Sequence, residues 1–572
     1  MQIERPERTF LPKEFNIEKW EDVEQYFIAL EQREISSKED FKQWLLDQSE
    51  LEAVLEENFA WRYIKMTINT KDEDLAKDYT FFVKEIQPKL APYSFRLNKK
   101  LSESPFKKEF NDEAYKILFR TVDTAIKLFR EENIPLEAEM AEKSQEFSAI
   151  SGAQSIEHDG KQITMQKAAT LLKENDEALR KEVFEKMAAR RSQDVEALDN
   201  LFSELIQIRH KIATNAGFDN YRDYKFESLG RFDYTKEDCF DFHKSIKEEI
   251  VPLVKKISEK QAKDLGKDKL KPWDGEVDPK GRKPLKPFET GQELLDKTVS
   301  IFNKIDPFFG DCLTTMEELG HLDLESKDGK SPGGYNYPLY EIGVPFIFMN
   351  AVGSHRDLIT MVHEGGHAIH SFLNRDLELT GFQSLPSEVA ELSSMSMELL
   401  TMDYWQDFYD NEEDLTRAKI EQLETILKIL PWVATIDEFQ HWIYENPNHS
   451  VAERKEKWTQ ILEDYGTGVT DWSGYESVRE NTWQRQLHLF EVPFYYIEYG
   501  MAQLGALAVW KNSKSDFKKA IEDYKNALSL GYTKSIPEIY KTAGVTFDFS
   551  RKNISELAEF IQEELLLVTS DE

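Results

Sequence analysis

A stretch of 51 residues from Lys167 to Gly217 contains no proline, and its apolar residues recur every three to four positions. That spacing places the apolar side chains on one face of a helix, so the stretch predicts helix almost throughout. It closes on Asn-Ala-Gly, which is typical of a helix end. Most of the chain shares this pattern, and the alternation typical of strands is scarce. The sequence therefore predicts a mainly α fold.

One short segment is typical of a strand. Val344–Val352 (VPFIFMNAV) is apolar and rich in β-branched and aromatic residues. Pro and Gly cluster just before it in Gly329–Pro338, which predicts a turn leading into the strand. They cluster again in Lys271–Phe288, which predicts a long surface loop. We therefore expect a small β-sheet within a helical protein.

The chain of 572 residues is long enough for two or three domain-sized units. Helical patterns run with little interruption up to about residue 205, whereas the strand-like run and the Pro/Gly clusters come later. We therefore divide the chain into an N-terminal helical lobe, residues 1–205, and a larger second domain, residues 206–572.

Charge and cysteine content limit the classes of partner. The 107 acidic residues outnumber the 73 basic ones and give a net charge of −34, so phosphate backbones and anionic lipid headgroups are repelled. No apolar run approaches the length of a membrane span, and the first residues lack the apolar segment of a secretory signal. Cys239 and Cys312 cannot build a disulfide framework and show no metal-binding spacing. We expect a cytoplasmic protein without nucleic acid or membrane partners.

The strongest chemical signal is the motif His-Glu-Gly-Gly-His, from His363 to His367. Helical residues four apart differ by about 40° around the axis, so the two histidines would face one metal ion. Glu364 would reach a water beside that ion as a general base. Ser354 and Asp357 have the spacing of a capping box, which supports a helix here. Each glycine costs about 1 kcal/mol in a helix interior, which indicates close approach of another backbone or a substrate.

A catalytic zinc needs a third protein ligand besides the two histidines. One class of zinc peptidase would require glycine where this chain has His370, which we expect to pack beside the site. The other route is a glutamate on a second helix, and Pro386 marks the start of one. Glu388 and Glu391 lie one turn apart there, so one could bind the metal while the other orients a histidine. Spacing alone leaves this choice open.

Residues 488–501 (HLFEVPFYYIEYGM) hold a histidine and several tyrosines. A tyrosine hydroxyl can donate a hydrogen bond to the oxyanion that develops during peptide hydrolysis. Aromatic side chains at such spacing also pack helices together, and the residues alone favour that interpretation.

The motifs together resemble the oligoendopeptidase F and thimet oligopeptidase family of zinc peptidases, over residues 200–560. The family motif H-E-x-G-H is present, and the family's helix pattern E-x-x-S-x-x-x-E is matched from Glu391 to Glu398. The resemblance implies that Glu391 is the third zinc ligand. It also implies that Tyr496 and Tyr499, with His488, face the zinc as catalytic residues.

The resemblance further implies an endopeptidase that uses one zinc ion per chain and cleaves short, unstructured peptides in a deep channel between two helical lobes. The small sheet would lie beside the zinc-binding helix, and its strand around Phe346–Asn350 would pair with the substrate backbone. Two alternatives stay open. One is a zinc carboxypeptidase or dipeptidase, which would need a basic residue to capture the terminal carboxylate. The other is a peptide-binding protein without catalysis.

Overall fold

The computed structural model describes residues 1–331 and 333–570, and its architecture is mainly α-helical, as the sequence predicts. The helices of the first half are α1 (Trp20–Gln32), α2 (Lys38–Ile68), α3 (Glu73–Phe81), α4 (Gln87–Glu103), α5 (Glu113–Leu128), α6 (Ile134–Gly152), α7 (Met165–Leu171), α8 (Glu177–Ser192), α9 (Val195–Asn215), α10 (Tyr221–Ser228), α11 (Lys236–Ser245), α12 (Val251–Asp264), α13 (Gly291–Ile305) and α14 (Pro307–Glu318).

The helices of the second half carry the candidate site. They are α15 (His355–Asn374), α16 (Thr380–Gln383), α17 (Ser387–Leu400), α18 (Glu412–Glu445), α19 (Val451–Asp464), α20 (Glu476–Arg479), α21 (Leu487–Glu491), α22 (Tyr496–Ser515), α23 (Phe517–Leu528), α24 (Ile536–Thr542) and α25 (Arg551–Ser570). Within the described ranges, no helix has the length and apolar content to cross a membrane.

The proline-free stretch forms three helices, α7, α8 and α9, rather than one. Asp176 separates the first two, because its side chain accepts hydrogen bonds from the backbone N–H groups of Ala178 and Leu179 and caps α8. The predicted stop is confirmed. α9 ends at Asn215, and Gly217 takes a φ of +89°, a backbone conformation that favours glycine.

Five short strands form two sheets in the described residues. β1 (Ser155–His158) and β2 (Lys161–Thr164) make a hairpin. β3 (Leu322–Glu325), β4 (Tyr335–Tyr337) and β5 (Phe346–Ala351) make a second sheet in the order β3-β5-β4. β5 confirms the predicted strand, whereas β4 lies in the segment predicted to be a turn.

The central position of β5 decides where a further strand could add to the second sheet. It pairs in parallel with β3 and antiparallel with β4, so Ile347 lies opposite Leu322 on one side and Asn336 on the other. Both of its edges are therefore occupied at this point. β3 and β4 are the two edge strands of this sheet.

Two large apolar cores stabilise the chain. One joins α1, α2, α4 and α5, with Trp44 fully buried in it, and it includes Phe382 from α16. The other extends from Phe147 through the helices of the second half and contains the buried side chains of Val362 and Leu392, which lie on the helices that carry the metal motif. The division at residue 205 stays a prediction.

The predicted loop Lys271–Phe288 contains no helix or strand, but it does not lie wholly at the surface. Trp273 and Asp274 are buried, and the Asp274 carboxylate accepts a hydrogen bond of 2.9 Å from the guanidinium of Arg180. The loop is thereby anchored to α8.

Candidate metal centre

Helix α15 begins where the sequence predicts. The Ser354 hydroxyl accepts a hydrogen bond from the backbone N–H of Asp357, and the Asp357 carboxylate accepts one of 2.9 Å from the backbone N–H of Ser354. This reciprocal cap satisfies N–H groups that the first turn would leave without partners. It fixes the start of the helix that carries the histidines.

Gly366 allows α17 to contact the backbone of α15, and Gly365 leaves room for Phe302 of α13. A Cβ atom on Gly366 would lie 2.6 Å from the Cα of Ser394, and one on Gly365 would lie 2.7 Å from the ring of Phe302. The Ser393 hydroxyl donates a 2.7 Å hydrogen bond to the carbonyl of Gly366. The close approach expected from the sequence is thus made by a backbone, that of α17.

This contact brings together the three predicted metal ligands. The Nε2 atoms of His363 and His367 lie 3.4 and 3.9 Å from Oε2 of Glu391, and one ligand atom of each residue lies within 4.8 Å of the others. Ligand atoms around a tetrahedral zinc are separated by about 3.3 Å, given bonds of about 2.0 Å. Two imidazoles and one carboxylate are a donor set that zinc accepts, so these residues fit the ion.

Glu398, two turns beyond Glu391 on α17, orients one of the histidines. Its Oε1 lies 2.7 Å from Nδ1 of His363, and its Oε2 accepts a 2.9 Å hydrogen bond from the side chain of Gln422. A carboxylate on the far nitrogen fixes the tautomer in which Nε2 is free to bind a metal. The family pattern contains Glu398, but the sequence reasoning gave it no role.

Glu364 lies beside the three ligands and outside their cluster. Its side chain is buried, and burial raises its pKa to about 7. Asn336 on β4 donates a 3.2 Å hydrogen bond to its backbone carbonyl, which ties the helix to the sheet. A carboxyl group with a pKa near neutrality can accept a proton and release it again.

A cavity of about 410 Å³ opens onto these residues. Its wall includes Glu364, the three ligands and His370, together with side chains from β4 and from the start of α22. Burial lowers the pKa of His370 to about 3, so its imidazole is neutral. His370 therefore packs beside the site, as expected.

The aromatic cluster meets the metal centre through Tyr495 and Tyr499, which both line the cavity. The Tyr495 hydroxyl donates a 3.3 Å hydrogen bond to Oε1 of Glu391. Burial raises the pKa of both phenols, so each stays protonated and able to donate. Tyr496 is not among the residues that line the cavity, and its ring packs 4.7 Å from that of His488.

The sequence profile of peptidase family M3 matches residues 170–559, and that of the peptidase M3 N-terminal domain matches residues 10–129. The chain belongs to peptidase family M3. The N-terminal match reaches beyond residues 200–560, where the motifs resemble the family.

Individual proteins agree with the family M3 assignment. The chain is 24% identical to oligopeptidase PepF of Bacillus subtilis strain 168 over 39% of its own length and 33% of the relative's. It is 24% identical to an oligoendopeptidase F homolog of Borreliella burgdorferi over 67% of its length and 63% of the relative's. The chain thus covers less than two thirds of both relatives. The structure of PZ peptidase A with inhibitor 2 superimposes with a TM-score of 0.88 and 27% identity, covering 99% of this chain and 98% of that one.

Two predicted residues of this M3 chain, Glu388 and His488, lie away from the positions expected for them. Glu388 accepts a 2.6 Å hydrogen bond from Tyr234, and the histidine-orienting role considered for it belongs to Glu398. His488 is held by Gln486, whose amide lies 2.7 Å from Nδ1, and burial lowers the pKa of His488 to about 4. It contacts the tyrosines but is not among the residues at the cavity wall.

The strand addition expected around Phe346–Asn350 stays a prediction, and the structure places this segment in the central strand of its sheet. Phe346 is buried against Trp61, and its backbone pairs with Tyr337 of β4. The side chain of Asn350 donates hydrogen bonds of 2.8 Å to the carbonyls of Ser331 and Gly333 and holds that loop over the strand. β5 is the central strand of its sheet, and β4 is the neighbouring strand that lines the cavity.

Proposed function

We propose that this M3 chain is a zinc-dependent endopeptidase that hydrolyses internal bonds of short, unstructured peptides. The observation that carries the proposal is the convergence of His363, His367 and Glu391 at the wall of one cavity, with Glu364 beside them. Zinc, when bound, polarises a scissile carbonyl and lowers the pKa of a water molecule. His363, His367 and Glu391 would hold it.

Glu364 supplies the general base in this proposal. Its carboxylate takes a proton from the attacking water and delivers it to the leaving amine. The raised pKa supports both transfers, because the group holds a proton transiently near neutral pH. Glu364 is not part of the ligand cluster, so the proposal does not use it to hold the ion.

Tyr499 is the donor that we assign to the oxyanion. It lies at the cavity wall, and its raised pKa keeps the hydroxyl proton in place, whereas the hydroxyl of Tyr495 donates to Glu391. Tyr496, which the family resemblance favours, supports the cluster by packing on His488. A donor aimed at developing charge stabilises the transition state more than the bound substrate.

Substrate binding follows from the edge of the sheet. Tyr335, Asn336 and Pro338 of the β4 segment line the cavity, and β4 is an edge strand of its sheet. We therefore assign to β4 the pairing with a peptide in extended conformation. Among the described residues that line the cavity there is no lysine or arginine. This favours an endopeptidase over a carboxypeptidase, which would need a cation for the terminal carboxylate.

The test uses internally quenched fluorescent peptides of graded length, with blocked and free termini, in the presence and absence of a chelator. We expect cleavage of blocked peptides and its loss after chelation.

Glu364→Gln should retain zinc and lose two to four orders of magnitude in kcat, as is typical for removal of a general base. Cleavage of free C-termini alone would support the carboxypeptidase. Binding of peptides without cleavage by the zinc-loaded chain would contradict the proposal. The cytoplasmic location stays a prediction.

A further inference from the structure

A second group of metal-binding side chains lies between α11 and α18, outside the candidate peptidase site. Cys239 and His243 lie four residues apart on α11, and Asp437 and His441 lie four residues apart on α18. Each pair therefore projects from one face of its helix, and the two faces meet. Cys239 shows no metal-binding spacing in the sequence, because the other helix lies almost 200 residues further along the chain.

The group is compact and enclosed. One ligand atom each of Cys239, Asp437 and His441 lies within 4.8 Å of the others, and all three residues are buried. His441 Nε2 lies 3.2 Å from Oδ2 of Asp437, and His243 Nε2 lies 2.8 Å from the same oxygen. The rings of Phe226, Phe240 and Phe494 surround the imidazole of His441.

Two polar atoms of the group, Oδ1 of Asp437 and Nδ1 of His441, have no hydrogen-bond partner among the described residues. A buried polar atom without a partner costs about 1–3 kcal/mol, and such atoms are rare in folded proteins. An ion that accepts lone pairs from Asp437 and His441 would remove this cost.

We propose that Cys239, Asp437 and His441 bind a second zinc ion, with His243 holding the Asp437 carboxylate in place. A thiolate, an imidazole and a carboxylate are all ligands of zinc, and the thiolate disfavours magnesium and calcium. The i and i+4 pairs place the ion between two helices, so it would join α11 to α18 in the interior of the domain.

The test replaces zinc with cobalt, by producing the protein in cobalt-supplemented medium. A thiolate ligand gives a sulfur-to-cobalt charge-transfer absorption in the near ultraviolet, which the His363, His367 and Glu391 site has no sulfur to produce. Elemental analysis should find two cobalt ions per chain, and the absorption should correspond to one of them.

Cys312→Ser is the matched control, since Cys239 and Cys312 are the two cysteines of the chain. The absorption should persist in Cys312→Ser, which assigns it to Cys239 even if Cys239→Ser does not fold. In a folded Cys239→Ser the absorption should vanish, and one cobalt ion should remain. Cobalt-loaded wild type without the absorption, or its loss in Cys312→Ser, would overturn the proposal. The result is independent of peptidase activity.

Discussion

Two pairs of helices in this chain bring metal-binding side chains together, and they differ in access to solvent. On α15 and α17, the side chains of His363 and His367 keep exposures of 21% and 20% and face a cavity. On α11 and α18, Asp437 and His441 are 0% and 3% exposed. The same four-residue spacing thus occurs at an open and at an enclosed site. Solvent access separates a site that can take substrate from one that can only stabilise the fold.

The largest effect is expected when one metal ligand of the open site is removed. Glu391→Ala takes away one of three donors at the open site, so we expect loss of that metal ion and of peptidase activity. Glu388→Ala is the control, because Glu388 bonds to Tyr234 and lies outside the cluster. Elemental analysis of both variants decides the point. Equal loss of metal from the two variants would contradict the ligand assignment.

Substitution of Tyr499 and Tyr496 tests which tyrosine acts in catalysis at the open site. Tyr499→Phe should lower kcat about a hundredfold at unchanged zinc content, because loss of an oxyanion donor costs about 3 kcal/mol. Tyr496→Phe, one helical turn away and not among the cavity-lining residues, should change kcat little. Steady-state kinetics on one blocked peptide compares them. A larger effect in Tyr496→Phe would restore the role that the family resemblance implies.

Glu398 and His243 have similar positions, since each forms a hydrogen bond to a side chain assigned as a metal ligand. Glu398 contacts His363, and His243 contacts Asp437. Glu398→Ala should weaken zinc binding at the open site about 10- to 100-fold, as is typical when the partner of a ligating histidine is removed. Glu398→Gln keeps an acceptor for His363 and should fall between the variant and the wild type. Competition with a chromogenic chelator measures the affinities. Wild-type affinity in Glu398→Ala would show that α15 alone orients His363.

The smallest effect is expected for the close contact between Gly366 and Ser394, which has no counterpart at the enclosed site. Gly366→Ala would place a Cβ atom 2.6 Å from the backbone of Ser394, so we expect a loss of about 1–3 kcal/mol in the free energy of unfolding. Gly152→Ala is the control, because its Cβ atom would meet nothing within 4 Å. Thermal unfolding of the metal-free variants compares them. Equal melting temperatures would show that α17 can move away without cost.

The sequence predicts the parts of the site that lie close together along the chain. The motif, the Ser354 cap and the start of α17 are local patterns, and the structure confirms the cap and the helix start. Family resemblance, and not spacing, selects Glu391 over Glu388. Among the described residues the structure then brings Glu391 into the cluster with the two histidines.

Features that depend on tertiary contacts are the ones that the sequence misses. β4 has three residues, too few to show an alternating pattern, so the sequence predicts a strand only at β5. The contact of Tyr495 with Glu391 spans 104 positions, and that of His243 with Asp437 spans 194. The apolar periodicity of a helix does not indicate which distant helix it will contact, because each helix shows its own pattern whatever its partner.

Phe494, which precedes the tyrosines, has a φ of +67°, a left-handed conformation that costs a non-glycine residue about 1–3 kcal/mol. The fold holds it there from three directions. Its N–H donates to Gln440, its carbonyl accepts from Arg231, and its ring contacts His441. The backbone at Phe494 is therefore strained, and contacts with Gln440 and His441 of α18 and with Arg231 hold it in that conformation. A mutation that removes these contacts would let Phe494 relax from the left-handed conformation and would move Tyr495 and Tyr499. The mutated residue itself would not line the cavity, since Gln440, Arg231 and His441 are not among the lining residues.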